Sequence, residues 1–303
     1  MPKPLSVIGV PSSAGAYAPG QEKTPAALRE AGLLAMLKER GVTVQDCGDL
    51  PRFRWRPDKG NPSAMNLDTV VETARETARR VSKAMLDDTA VLVLGGDCTV
   101  GVGTVGGSAG AGGRVGLVYM DLDTDLNVPH STTDGALDWM GVAHMLGVEG
   151  AANPLTRVGS RYPMLGPDSV LFFAYGNVTP WEQQVIDSMK IQGVPVDQVA
   201  ADPGDAAHRV VNGWGKDFDR LLIHLDVDVI DFADFPIAEH TRRNEGLTFH
   251  QAMQAIEVLV GAENWSALTV AEVNPDHGAE DGSTVSAFAT ALADGLARSR
   301  VLT

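Results

Sequence analysis

The sequence predicts an α/β fold, a mostly parallel sheet covered by helices. Short apolar runs alternate with helix-period stretches from one end to the other, the arrangement that such sheets require. Polar, mostly acidic clusters collect just past the carboxyl ends of several of those runs, where ligands of open α/β sheets bind. A chain of 303 residues, 44% hydrophobic and 21% charged, is large enough for one substantial core. A single domain over 1–303 is expected, since no repeat or low-complexity linker interrupts the pattern.

The first apolar run, Leu5 to Val10, leads into a Gly/Ser/Pro-rich loop and then a helix expected from about Thr24 to Arg40. A second strand is expected to include Val42 to Gln45. Val71, Ala74, Ala78, Val81 and Met85 recur at spacings of three and four, the stripe of an amphipathic helix. Strands follow at Ala90 to Leu94 and Val115 to Met120, and both run into polar clusters. Val170 to Ala174 precedes Thr179-Pro180-Trp181-Glu182, where Thr at N-cap, Pro at the first helical position and Glu three residues on predict a capped helix. Leu221 to Leu225 is the next strand, Thr248 to Gln251 repeats the capping pattern, and Leu268 to Val273 is the last strand. A final helix is expected from about Ser283 to Arg298.

The 24 Lys+Arg against 39 Asp+Glu leave a formal charge of −15, which disfavours nucleic acid and anionic membrane surfaces and suits a cationic small molecule. Two cysteines, Cys47 and Cys98, make no disulfide framework, and the opening residues lack the layout of a secretory signal. A cytoplasmic location is the expectation.

Asp121-Leu122-Asp123-Thr124-Asp125 follows one apolar strand and Asp226-Val227-Asp228 another. In extended backbone alternate residues share a side, so each D-x-D would gather two carboxylates. Gathered carboxylates repel one another unless cations sit between them. Hard divalent ions accept such oxygen-rich sets, and two of them can share bridging carboxylates.

In these clusters and their order the chain resembles the arginase/agmatinase (ureohydrolase) family over nearly its whole length. GGDCT (95–99), DLDTD (121–125), HLDVDVIDF (224–232) and EVNP (272–275) stand in the order of the family's GGDHS, DAHxD, SxDxDxxDP and EVNP-like segments. The resemblance implies a three-layer α/β/α domain with a mainly parallel eight-stranded sheet. It also implies two divalent metals, usually Mn²⁺, and attack by a metal-bridging hydroxide on a guanidinium carbon. Asp121 and Asp226 would bridge the metals, Asp125 and Cys98 would complete one site, and Asp123 and Asp228 the other. Glu272 would pair with the guanidinium through two parallel hydrogen bonds, and Asn127 would contact the far end of the substrate. Family members commonly form trimers or hexamers, so a homo-oligomer is expected.

Three departures narrow this expectation. Cys98 and Asp123 occupy positions where the family has metal-binding histidines. Both can ligate, but the six ligands become wholly anionic, and the thiolate makes Zn²⁺ or Fe²⁺ a candidate at the Cys98 site. The proton-shuttling histidine is replaced by Asp138, which could serve as the acid if burial raises its pKa; His130, His144 and His277 are alternatives. Asn177, Thr179 and Glu182 replace the more acidic segment that reads the α-amino group of arginine. An agmatine-like, N-substituted or peptide-borne guanidine is therefore expected in place of free L-arginine. Two other readings stay open: a catalytically silent metal- or ligand-binding subunit, and a hydrolase of formimino-type amidines.

Overall fold

The computed structural model describes residues 2–303. Its strands are β1 (Leu5–Gly9), β2 (Val44–Asp49), β3 (Ala90–Leu94), β4 (Val115–Met120), β5 (Val170–Tyr175), β6 (Gln192–Pro195), β7 (Arg220–Asp226) and β8 (Trp265–Ala271). They form one eight-stranded sheet in the order β2-β1-β3-β8-β7-β4-β5-β6, with every pairing parallel. Interior strands are buried almost throughout, because helices cover both faces of a parallel sheet. Alternation divides their side chains between two cores. Leu92, Val118, Ile223 and Leu268 pack on one face, and Val91, Leu117, Leu222 and Ala267 on the other.

The expected strands are all present, and the edge strand β6 is an addition. Gln192-Gly193-Val194-Pro195 has no apolar run because it is an edge with little of it buried. The expected helix from Thr24 to Arg40 is two helices, Thr24–Glu30 and Leu33–Glu39, broken at Gly32 with φ +88°. Both capping boxes form. Thr179 accepts from the Glu182 N–H and Thr248 from that of Gln251, with the reciprocal bonds in place.

One helix has almost no sequence signature. Val100–Gly110 reads VGVGTVGGSAG, a composition that disfavours helix by about 1 kcal/mol per glycine. Its glycines let it lie directly on the helix Leu67–Leu86: a Cβ at position 107 would meet the Ala78 carbonyl oxygen at 2.5 Å. This helix starts immediately after GGDCT, with Thr99 as its N-cap, and anchors that loop beneath the candidate site. Among the described residues, no helix is long and apolar enough to cross a membrane.

Candidate metal centre

The acids lie at the carboxyl ends of β3, β8, β7 and β4, four consecutive strands at the middle of the sheet. Met120 pairs with Leu225 and Asp226 with Ala271, so the strand ends finish level and their polar residues converge. Both D-x-D segments depart from the expected extended form. Asp121 Oδ1 accepts from the Asp123 N–H at 2.6 Å and Asp226 Oδ1 from the Asp228 N–H at 2.8 Å. Each segment turns back on itself and presents two carboxylates from one bend. The Leu122 and Val227 side chains between them are buried.

Cys98, Asp121 and His224 each bring a donor atom within 4.8 Å of the others, and so do Asp121, Asp123 and Asp228. Asp121 belongs to both groups, as a carboxylate shared by two ions would. Cys98 Sγ lies 2.9 Å from Asp226 Oδ2 and 3.2 Å from His224 Nε2. Tyr119 Oη donates to Asp125 Oδ2. Asp121 Oδ2 and Asp228 Oδ1 are buried without a hydrogen-bond partner, a state that costs several kcal/mol unless a cation or proton is supplied. This set of oxygen donors, one sulfur and one imidazole fits divalent metal.

The electrostatics agree. Burial, then the neighbouring carboxylates, hold Asp121, Asp226 and Glu272 well above the usual carboxylate range. For Asp125 and Asp138 burial again comes first. Asp228 is pushed up to about 7, chiefly by burial and then by Asp123, against the opposing pull of Arg242. These groups cannot all ionise together without added positive charge.

Glu272 enters from just past β8 with φ +63°, a left-handed conformation that a non-glycine residue adopts at a cost of about 1–3 kcal/mol. Its carboxylate accepts from the Cys98 N–H and from Gln21 Nε2, both at 3.0 Å, which fixes its direction. The cleft above the acids is lined by Cys98, Asp123, Asp125, Asp138, Asp226, Asp228 and Glu272, together with Tyr17, Trp139 and His240. Tyr17 and Trp139 stack with centroids 6.2 Å apart, and His240 meets both edge-on. The room left within the cleft is about 20 Å³, enough for about one water.

A family model described as "Arginase family" matches residues 3–297. The chain belongs to the arginase family. It is 28% identical over 276 residues to the arginase of Bacillus caldovelox, covering 90% of this chain and 91% of that one. It is 30% identical over 305 residues to arginase-1 of Mus musculus, with 96% and 91% covered. The solved structure of the Bacillus caldovelox arginase superimposes with a TM-score of 0.87 at 25% identity, covering 97% of this chain and 98% of that one. Formimidoylglutamase from Bacillus subtilis shares the fold, with a TM-score of 0.75 at 17% identity and coverage of 97% and 86%. Arginase-family enzymes are hydrolases of amidino groups with a binuclear metal centre, and this member keeps a cluster that could bind metal.

Several residues expected to read the substrate do other work. Glu182 is absent from the cleft lining; its carboxylate accepts from Thr124 Oγ1, the Leu126 N–H and the Thr179 N–H, tying the acidic loop to a helix start. Thr179 spends its hydroxyl on the cap. Asn127 Oδ1 accepts from Ser131 Oγ at 2.8 Å within its own loop. Asn177 is exposed beside the cluster and donates to Asp123 Oδ1. Asp138 does face the cleft.

None of the histidines considered as substitutes for the proton shuttle lines the cleft. His144 is buried between the Met140 carbonyl and the Ala152 N–H, with burial pushing it down to about 4. His277 bonds the Ala238 carbonyl, and His130 packs on Trp181.

Sequence reasoning passed over His224, His240, Arg242, Tyr17 and Trp139. His224 had a signal: it stands two residues before Asp226 on a strand and so shares its face. Arg242 had none. It donates Nη2 to Asp123 Oδ2 and lies 3.8 Å from Asp228 Oδ2, reaching in from a long loop after β7.

Proposed function

We propose that the chain is a metal-dependent hydrolase of a guanidino-type C–N bond, releasing urea or a urea derivative and an amine. The observation that carries this is the pair of donor groups sharing Asp121 beneath a cleft that Glu272 and Asp138 also line. Cys98, Asp121, Asp123, Asp125, Asp226 and Asp228 would hold two divalent ions, which supply hydroxide near neutral pH for attack on a resonance-stabilised guanidinium. Mn²⁺ suits the all-oxygen half.

Glu272 retains free lone pairs on both oxygens and faces the cleft, so a planar guanidinium can set two N–H groups against it. Asp138, kept protonated by burial, can give its proton to the leaving amine. Tyr17 and Trp139 add aromatic surface to the lining, which suits a cation, and the acids beside them exclude anions.

Relatives of this chain are arginases, yet Asn177 and Thr179 leave little negative charge to read an α-amino group. The substrate is accordingly an agmatine-like, N-substituted or peptide-borne guanidine. Loading the protein with Mn²⁺, Zn²⁺ or Fe²⁺ and measuring urea release from agmatine, alkylguanidines, arginyl peptides and L-arginine tests this. Turnover should be poorest with L-arginine and should vanish in Asp226→Asn. Less than one metal per chain with no urea from any guanidine would overturn the proposal, and formamide release from formimino compounds would redirect it.

One observation favours a silent, ligand-binding role as the second reading: the Arg242 guanidinium already rests on Asp123. Turnover abolished by Asp226→Asn would remove that reading.

A further inference from the structure

On β7, His224 and Asp226 point to the same face, and His224 pairs in register with Tyr119 on β4 and Thr269 on β8. The Tyr119 ring stacks on the imidazole, centroids 4.4 Å apart and planes 11° apart. On its Nδ1 side the ring meets the helix Val100–Gly110 at Gly101, where a Cβ would sit 2.7 Å from Nδ1. Tyrosine and glycine thus hold the ring in one orientation, with Nε2 directed at Cys98 Sγ, 3.2 Å away.

We infer that this half of the cluster is a mixed sulfur, nitrogen and oxygen metal site, in which His224 supplies from β7 the imidazole that position 98 no longer carries. The inference rests on the metal-dependent reading above and assigns its ligands. Two ligands of one tetrahedral ion, with bonds of about 2.3 Å to sulfur and about 2.0–2.1 Å to nitrogen or oxygen, lie about 3.5 Å apart. The Sγ–Nε2 separation of 3.2 Å falls about 0.3 Å short of that and the Sγ–Oδ2 separation of 2.9 Å to Asp226 about 0.6 Å. A plain thiol–imidazole hydrogen bond would explain the first distance alone. It would leave Asp121 Oδ2, buried and without a partner in the same group, unaccounted for.

Cys98 and His224 together select a borderline-soft ion, Zn²⁺ or Fe²⁺, over Mn²⁺. The half formed by Asp121, Asp123 and Asp228 keeps all-oxygen donors for a harder ion.

X-ray absorption at the zinc edge of the Zn²⁺-loaded full chain should show one sulfur at about 2.3 Å together with imidazole scattering. The Co²⁺-loaded protein should show a thiolate-to-cobalt charge-transfer band that Cys98→Ser removes. His224→Gln should weaken Zn²⁺ binding by at least about tenfold, since mutating even a group that only supports a metal-bound imidazole costs about that much. Zinc scattering from oxygen alone, or unchanged Zn²⁺ affinity in His224→Gln, would overturn the assignment. The absorption spectra use the unaltered chain, so misfolding of a variant cannot obscure them. Urea release from an oxygen-only site would sink this inference and leave the hydrolase reading standing; a sulfur–imidazole site without turnover would do the reverse.

Discussion

By the family resemblance Asp123 falls at a histidine position, and the side chain that answers it is Arg242. The added carboxylate brings a negative charge into a cluster already overloaded with them. The guanidinium returns a positive one, bonded to Asp123 and close to Asp228. Arg242 is held ionised by these acids despite its burial. An aspartate paired with an arginine is electrically closer to the lost imidazole than an aspartate alone. The pairing also sets a competition, since a divalent ion at Asp121, Asp123 and Asp228 must bind beside that charge. Arg242→Met should tighten binding there by about tenfold, roughly 1.4 kcal/mol, as read by calorimetric titration. It should also lower the stability of the metal-free protein by up to about 3 kcal/mol, because breaking a buried pair strands its partner. Looser binding in Arg242→Met would show that the arginine arranges the acids for the ion.

The same contrast explains which site residues the sequence reveals. Acids placed directly after apolar strands are legible because strand ends in a parallel sheet have a known destination. His240 and Tyr17 reach the cleft, and Arg242 its acids, from loops, and Trp139 from a short 3-10 turn; such paths depend on tertiary packing and leave no periodic trace. Glu182 misled for a related reason: its place in a family segment suggested the substrate, whereas its place in a capping box accounts for its actual bonds.

At the scale of an element, the helix Val100–Gly110 is the plainest conflict between local preference and packing. Propensity alone opposes it, so close contact with the helix Leu67–Leu86 must compensate. The two effects can be separated at two glycines. In Gly107→Ala a methyl would lie 2.5 Å from the Ala78 carbonyl oxygen and 2.9 Å from Val81 Cβ. Overpacking of about 1–3 kcal/mol should exceed the propensity gain of about 1 kcal/mol, giving net destabilisation in urea melts. Gly110→Ala meets only Ser160 Oγ at 3.5 Å and Ser82 Oγ at 3.8 Å, ordinary contacts. It should be neutral or stabilising by up to about 1 kcal/mol. Equal effects at both positions would mean that the close approach does not decide the composition. A periodicity search cannot find such a helix, because its face is made of missing side chains. The amphipathic helix beside it, with its stripe of Val71, Ala74, Ala78 and Val81 buried, is legible for the opposite reason.

At the scale of the whole molecule, the sheet gathers acids whose ionisation opposes folding. Asp228 holds its proton up to about 7, and Asp121, Asp125, Asp138, Asp226 and Glu272 are all shifted upward by burial. The unfolded chain binds fewer protons than the folded one across that range, so the contribution of these groups falls as pH rises through their folded values. His144 and His224 act in the opposite sense, pushed down to about 4 and about 3 by burial. Their contribution rises only until the unfolded imidazoles have lost their protons near 6.5. Above that point the acids act alone. The metal-free protein should therefore lose thermal stability as pH rises past about 6.5 and through the Asp228 value of about 7, and Asp228→Asn should flatten the decline. Divalent ions replace the retained protons, so loading should abolish the slope and release protons into weakly buffered solution. A metal-free melting temperature that stayed level or rose over that range would show that the cluster relieves its charge in another way, with the Arg242 pair as the first group to examine.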